Sequence, residues 1–143
     1  FIELSKYTLN VCKRQGLPIS LLLFDLNKFK PINDTFGHAE GDRALIAFAK
    51  MLRKVFRESD VLGRLGGDEF AVLMMNVDVE NTEKVIERFK AEMSQFNQHA
   101  ARGYDIEYSV GYTNSLVEDH MDINDLLAAS DKKMYAEKGP KNR

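Results

Sequence analysis

The apolar positions along the chain fall either at helical spacing or in short continuous runs, which predicts helices interleaved with buried strands. Helical spacing predicts five helices, over residues 1–15, 29–36, 40–56, 82–96 and 122–138. Short apolar or alternating runs predict four strands, over residues 19–26, 61–65, 69–75 and 106–113. This order predicts an α/β (α+β) domain with a mixed, mostly antiparallel central sheet flanked by helices. The pattern leaves the order of the strands open.

Glycines and polar residues mark the ends of several predicted elements. Gly16 and Gly37 each end a helix. Asn81 is the predicted cap of the fourth helix. Gly66 and Gly67 lie between two apolar runs and predict a tight hairpin turn, whose residues need positive φ.

Composition narrows the class of protein. The 143 residues are 44% hydrophobic and 29% charged, as in an ordinary folded domain, and the net charge of -2 argues against a nucleic-acid surface. One cysteine excludes an internal disulfide, and the longest apolar run, 21–24, is too short to cross a membrane. We expect one domain, residues 1–143, excised from a larger multidomain protein, without membrane contact of its own.

A first polar cluster follows the first strand. Asp25 ends a buried strand and a helix begins at Phe29, with Lys30 in its first turn. Free N–H groups at a helix start bind phosphate, and a carboxylate beside them holds a hard cation such as magnesium. Taken alone, the cluster favours the alternative in which Asp25 is a helix cap and Lys30 a solvated side chain.

A second cluster lies in the predicted hairpin. Asp68 and Glu69 follow the glycine pair, and alternation along a strand sends their side chains to opposite sides unless the turn distorts them. One of the two is therefore expected to face Asp25 across adjacent strands. Carboxylates from two strand ends are typical of a magnesium–nucleotide site, but a polar hairpin turn also explains them.

A third cluster offers hydrogen bonds that match guanine. The carboxylate of Asp42 suits the N1–H and exocyclic amine of the base, and the amide of Asn33 suits O6. Such a site can reject an analogue with the wrong pattern by about 10⁴–10⁵. The alternative is a capped helix–turn–helix in which both side chains serve only the backbone.

Together the clusters resemble the GGDEF family of diguanylate cyclases. Residues 24–45, FDLNKFKPINDTFGHAEGDRAL, are similar to its FDxDxFKxINDxxGHxxGDxxL pattern, and residues 64–70, RLGGDEF, contain its signature. YSVGY at 108–112 and DKKMYAEK at 131–138 resemble its late strand and closing helix. The resemblance covers nearly the whole chain and implies the fold of nucleotidyl cyclases and polymerase palms.

The resemblance implies a role for each matching residue. Asp25, the backbone carbonyl of Leu26 and Asp68 would bind Mg²⁺ or Mn²⁺, and Glu69 would be required for catalysis together with Asp25 and Asp68. Guanine recognition by Asn33 and Asp42 is implied as well. The implied phosphate contacts are Phe29 (backbone), Lys30, Lys138 and Lys141, while Gly66 and Gly67 would leave room for the nucleotide.

The implied reaction condenses two GTP molecules into cyclic di-GMP and two pyrophosphates. Each domain would hold one GTP, so that catalysis requires a homodimer. The resemblance further implies a cytoplasmic bacterial domain and leaves open whether the full-length protein is attached to a membrane.

A second binding site is implied just before the signature. Arg57 and Asp60 match the family's RxxD motif, which binds cyclic di-GMP and inhibits the enzyme. A surface charge pair at a helix end is the alternative for this short motif. We expect Arg64 to form a local ion pair.

Two positions depart from the family pattern, and other functions compete with the cyclase. Asn27 replaces the second aspartate of FDxD, and Glu137 places an acid where alanine precedes Lys138. A weakly catalytic domain that senses cyclic di-GMP or GTP is the main alternative. A different nucleotidyl cyclase or polymerase-like domain, and a scaffold that only dimerises, are the others.

Overall fold

The computed structural model describes residues 1–100, 102–115 and 121–138, and of residue 138 it describes only the backbone. Its helices are α1 (Ile2–Gln15), α2 (Phe29–Phe36), α3 (His38–Val55), α4 (Val79–Ala100) and α5 (Ile123–Lys138). Its strands are β1 (Ile19–Asn27), β2 (Val61–Gly66), β3 (Glu69–Met75) and β4 (Glu107–Ser115). The predicted order of elements and the α+β class are confirmed.

The four strands form one sheet in the order β2-β3-β1-β4, and all three pairings are antiparallel. β1 therefore lies in the middle, hydrogen-bonded along both sides. Ile19 to Asp25 pair with Met75 to Glu69 of β3, and Ile19 to Asn27 pair with Ser115 to Glu107 of β4. The continuous apolar run of β1 follows from this position, because a central strand with helices on both faces is buried all round.

Side chains from alternating positions of the strands pack into two hydrophobic cores, one on each face of the sheet. On one face, Phe24 of β1 is fully buried and packs its ring edge-to-face against Phe48 of α3 and Phe89 of α4, at centroid distances of 5.8 and 5.3 Å. Each such aromatic pair stabilises the fold by about 0.5–1.5 kcal/mol in addition to the contribution of its buried surface area. On the other face, α1 and α5 cover a core that contains Cys12, Leu21, Leu23, Ile123, Leu126 and Met134.

α5 approaches β4 so closely that Gly111 has no room for a side chain. A Cβ atom there would lie 2.3 Å from the backbone nitrogen of Met134 and 2.4 Å from the carbonyl oxygen of Ser130. The Ser130 hydroxyl also donates to the carbonyl of Leu21 in β1 at 3.1 Å. These contacts hold the closing helix directly on the two strands that lead to the candidate site.

Two local predictions were wrong. α4 begins at Val79, and its cap is Asp78, whose carboxylate accepts from the N–H of Asn81 at 2.8 Å; Asn81 is not the cap. The hairpin is confirmed, but its turn residues are Gly67 and Asp68, and φ of the glycine pair is not positive. The pairing of β2 with β3 also shifts register just before the turn, between Arg64 and Gly66.

No helix in the described part of the chain is both long and apolar enough to span a membrane.

Candidate functional site

The first and second polar clusters meet where β1 and β3 end together. Asp25 is directly opposite Glu69 in the antiparallel register, and the N–H of Leu26 donates to the carbonyl oxygen of Asp68 at 3.1 Å. Glu69, rather than Asp68, is therefore the residue that faces Asp25 across adjacent strands. Asp68 lies in the turn, tied to the backbone one residue further along β1.

The oxygen atoms gathered here are suitable ligands for a divalent cation. Asp25 is buried, with 8% of its surface exposed, and like charges placed directly opposite in a sheet repel each other. The N–H and C=O of a strand residue point to the same side, so the carbonyl of Leu26 faces the hairpin as its N–H does. Within the described ranges no group of three or more acidic, histidine or cysteine side chains forms a complete metal site. Mg²⁺ needs only one or two carboxylates when nucleotide phosphates supply other ligands.

The hairpin tip is held from one side and open on the other. The Arg64 side chain donates from Nε to the carbonyl of Gly67 at 2.8 Å and so helps to close the turn, while the ion pair expected of it stays a prediction. Nothing lies within 4 Å of a Cβ atom placed on Gly66 or Gly67. Apart from the chain neighbours, no described protein atom therefore fills the space directly beside these two glycines.

The first turn of α2 begins four residues after Asp25. Pro31 has no N–H, and the N–H of Ile32 is bonded to the carbonyl of Lys28, so the turn leaves the N–H groups of Phe29 and Lys30 for a ligand. Both the backbone N–H groups and the exposed Lys30 side chain suit phosphate.

Lys28 is a residue that the sequence analysis missed. Its φ of 58° is unusual for a residue with a side chain, and its ammonium lies 3.2 Å from the carboxylate of Glu107 on β4. This left-handed residue turns the chain from β1 into α2 and so aims the start of α2. No feature of the sequence distinguishes this lysine from a solvated one.

The structure brings Asn33 beside the residue that precedes Asp42. A Cβ atom on Gly41 would lie 1.7 Å from Oδ1 of Asn33, so the amide occupies the space that any other residue at 41 would fill. Two hydrogen bonds close the turn between the helices. The N–H of Gly37 donates to the carbonyl of Asn33 at 2.9 Å, and the N–H of Gly41 donates to the carbonyl of Gly37. The two predicted guanine-reading residues therefore lie together across the α2–α3 corner.

Arg57 and Asp60 form a closed pair between α3 and β2. Asp60 accepts from the backbone N–H of Arg57 at 2.8 Å and from its guanidinium at 3.4 Å. The Asp60 side chain is 1% exposed and that of Arg57 57% exposed, and Arg57 also donates to the carbonyl of Met75. The aspartate serves the turn in this structure, while the arginine faces outward.

The two departures from the family pattern each have a described contact. Asn27 accepts a hydrogen bond from the Ser109 hydroxyl at 3.2 Å, which ties it to β4 and away from the hairpin. Glu137 accepts from the N–H of Val110 at 3.2 Å, and burial raises its pKa above the ordinary value. The side chain of Lys138 and all of Lys141, both predicted phosphate contacts, lie outside the described residues.

Comparison with known proteins places this geometry in a family. Residues 2–143 match the family described as "Diguanylate cyclase, GGDEF domain". Diguanylate cyclase DosC of Escherichia coli (strain K12) is 34% identical over 125 residues, which is 87% of this chain and 27% of that protein. The chain therefore spans about a quarter of the length of this curated relative.

Solved structures share the fold. The active GGEEF domain of a diguanylate cyclase from Vibrio cholerae is 30% identical, with a TM-score of 0.84 over 96% of this chain and 86% of that one. A microbial GGDEF domain, solved in a study of its interaction with cyclic di-GMP, is 26% identical, with a TM-score of 0.78 over 95% and 82% of the two chains. The chain belongs to the GGDEF family of diguanylate cyclase domains.

Proposed function

We propose that this domain is a diguanylate cyclase that binds GTP with Mg²⁺ or Mn²⁺ and condenses two GTP into cyclic di-GMP and two pyrophosphates. The observation that carries the proposal is the meeting of Asp25, Leu26, Asp68 and Glu69 at the ends of β1 and β3. The adjacent start of α2 offers phosphate contacts, and the α2–α3 corner offers a guanine pattern.

Each part of the site has a separate task. Asp25, the Leu26 carbonyl and Asp68 would hold the divalent cation, which when bound neutralises phosphate charge and activates the attacking hydroxyl. The N–H groups of Phe29 and Lys30 and the Lys30 ammonium would orient the phosphates. Lys138 and Lys141 are proposed as further phosphate contacts on the strength of the resemblance alone.

The base is proposed to lie across the α2–α3 corner, with Asp42 accepting from N1–H and the exocyclic amine and Asn33 donating to O6. The open surface at Gly66 and Gly67 would admit the nucleotide close to the hairpin backbone.

In the proposed reaction the 3′-oxygen of one GTP bonds to the α-phosphorus of the other. The bond from that phosphorus to the bridging oxygen of the β-phosphate breaks, pyrophosphate leaves and the 3′-hydroxyl proton is released. Two such steps close the ring. Because each domain would bind one GTP, two domains must face each other, and alignment supplies much of the rate enhancement.

Cyclic di-GMP is also proposed as an inhibitor that binds at Arg57 and Asp60. The exposed guanidinium of Arg57 suits the phosphate or guanine edge of the product. A GGDEF domain 26% identical to this one has been studied with cyclic di-GMP, which supports the ligand class.

The test is turnover of GTP by the purified chain with MgCl₂, with nucleotides separated by chromatography. Asp68→Ala and Asp25→Asn are the site variants. Asp125→Asn is the matched control, since it removes an aspartate charge at an exposed position of α5.

Cyclic di-GMP from the native chain and Asp125→Asn, but from neither site variant, is the expected result. Product from all four proteins would overturn the assigned site. No product together with tight binding of added cyclic di-GMP that Arg57→Ala abolishes would favour the sensor over the enzyme.

A further inference from the structure

The segment 102–106, which precedes β4, contacts both helices of the α2–α3 corner through one side chain. The hydroxyl of Tyr104 donates to Oε1 of Glu40 in the first turn of α3, at 2.8 Å. The ring of Tyr104 packs on Phe36, the last residue of α2, at a centroid distance of 5.0 Å. Tyr104 thus contacts α2 three residues beyond Asn33, and α3 two residues before Asp42.

The segment is itself anchored, so Tyr104 is a fixed support. The Asn97 side chain of α4 accepts from the N–H of Ile106 at 2.9 Å and donates to its carbonyl at 3.0 Å. The Arg102 guanidinium stacks over Phe96 and Tyr104, 4.7 and 5.2 Å from the ring centroids. Cation–π attraction of this kind favours the placement of the Tyr104 ring beside the guanidinium.

Charge strengthens the link to α3. Glu40 accepts from Arg43 at 2.8 Å as well as from Tyr104, and these two hydrogen bonds, the tyrosine's first, lower its pKa. Burial, followed by the bond to Glu40, raises the pKa of Tyr104 to about 12. The hydroxyl therefore stays a donor to an ionised carboxylate throughout the neutral range, which makes a stronger bond than a neutral pair.

We propose that Tyr104 is a positioning residue for guanine recognition, which holds Asn33 and Asp42 at the spacing that the base requires. The inference rests on the proposed function. Glu40, Gly41 and Asp42 are consecutive, and the Asn33 amide packs against the Cα of Gly41. Fixing Glu40 from outside therefore fixes the distance between the amide and the carboxylate that would read the base.

A nucleotide pair that differs by one hydrogen-bonding group tests this positioning. 3′-Deoxy-GTP and 3′-deoxy-ITP lack the attacking hydroxyl, so binding is measured without turnover, and ITP lacks the exocyclic amine assigned to Asp42. Affinities for both are measured by calorimetry with MgCl₂ for the native chain, Tyr104→Phe and Tyr112→Phe. Tyr112 is the matched control, because its hydroxyl also donates to a glutamate, at 2.9 Å, but that residue is Glu83 of α4 and not a residue of α2 or α3.

Tyr104→Phe keeps the ring and loses the bond to Glu40. We expect its Kd for 3′-deoxy-GTP to rise about three- to tenfold and its Kd for 3′-deoxy-ITP to rise less. The preference for guanine, defined as the ratio of the Kd for 3′-deoxy-ITP to the Kd for 3′-deoxy-GTP, should therefore become smaller, that is, narrow. Tyr112→Phe should leave the preference unchanged. A general loss of folded protein would instead scale the binding of both nucleotides equally.

An unchanged preference in Tyr104→Phe, or equal narrowing in Tyr112→Phe, would overturn the inference and leave the proposed function intact. If Tyr104→Phe does not fold, Glu40→Gln replaces it and should narrow the preference in the same direction; no narrowing there overturns the inference too. A native chain that binds neither nucleotide overturns the proposed function, and the inference with it.

Discussion

The side chain of Asn33 occupies the place that a Cβ atom on residue 41 would need. The distance of 1.7 Å from that position to Oδ1 of Asn33 excludes every residue except glycine while the amide stays where it is. A glycine inside a helix is unfavourable by about 1 kcal/mol relative to alanine. α3 therefore carries an unfavourable residue in its first turn, and the close approach of the Asn33 amide explains it.

Gly41→Ala should separate stability from nucleotide binding. The added methyl group must displace the Asn33 amide, so we expect the affinity for 3′-deoxy-GTP to fall about tenfold or more. The clash should also lower the thermal midpoint of Gly41→Ala. The double variant Gly41→Ala with Asn33→Ala has no clash, so its thermal midpoint should return toward the native value, while its affinity for 3′-deoxy-GTP should stay low. Calorimetry and thermal melts measure the two properties. Full affinity in Gly41→Ala would show that Asn33 does not read the base.

Asp25→Asn should remove the stabilisation that the cation and nucleotide give, without weakening the fold. The change removes one of two opposed carboxylates, and we expect the metal-free variant to be at least as stable as the native chain, by up to about 1 kcal/mol. MgCl₂ with saturating 3′-deoxy-GTP should raise the native thermal midpoint by about 5–10 °C and that of the variant little. A variant less stable than the native chain without metal would mean that the Asp25 carboxylate is a structural group.

Arg57 and Asp60 should behave differently although they belong to one motif. Asp60→Ala removes a buried acceptor of the Arg57 N–H and should lower the free energy of unfolding by about 1.5–3 kcal/mol. Arg57→Ala removes an exposed guanidinium and should lower it by less than about 1 kcal/mol. Only Arg57→Ala is therefore a clean test of cyclic di-GMP binding, measured by calorimetry. Undiminished binding in that variant would exclude the proposed inhibitory site.

Glu137→Gln should stabilise the domain at neutral pH. The raised pKa of Glu137 means that its contribution to stability is complete below the pKa of the unfolded chain and is lost as the pH rises through the folded value. The amide keeps an oxygen for the N–H of Val110, so the thermal midpoint should rise by about 1–2 °C at pH 7.5.

The same variant at pH 4, measured by circular dichroism, should differ less from the native chain. Glu58→Gln, at an exposed position, is the control and should show no such pH dependence. An equal shift at both pH values would mean that Glu137 acts through packing and not through its charge.

Hydrophobic patterning predicted much of the fold, but not the geometry of the candidate site. The bounds of α2 and β3 were predicted to the residue, because Pro31, Gly37 and the apolar run 70–75 mark them. Which carboxylate faces Asp25 depends on strand order and register, which pattern alone leaves open. The pairing with Glu69 therefore emerged only from the sheet.

Other features could not be predicted from the sequence because they depend on tertiary contacts. The left-handed conformation of Lys28 is imposed by the junction of β1 and α2, against the residue's own preference. Tyr104 belongs to no motif, and its partner Glu40 is 64 positions away. Asn81 was favoured as a cap by its residue type, but Asp78 has the same chemistry and lies where α4 begins.

Because β1 lies in the middle of the sheet, the backbone amides of the candidate site should exchange with solvent in two different ways. Amides of β1 are bonded to both neighbouring strands, so their exchange requires opening of the whole sheet. α2 has eight residues, and Ile32 is its only buried one, so its amides exchange through local opening. The carboxylate half of the site is thus set before any ligand arrives. The first turn of α2, which is proposed to hold phosphate, opens locally, and protection gained on nucleotide binding would be concentrated there.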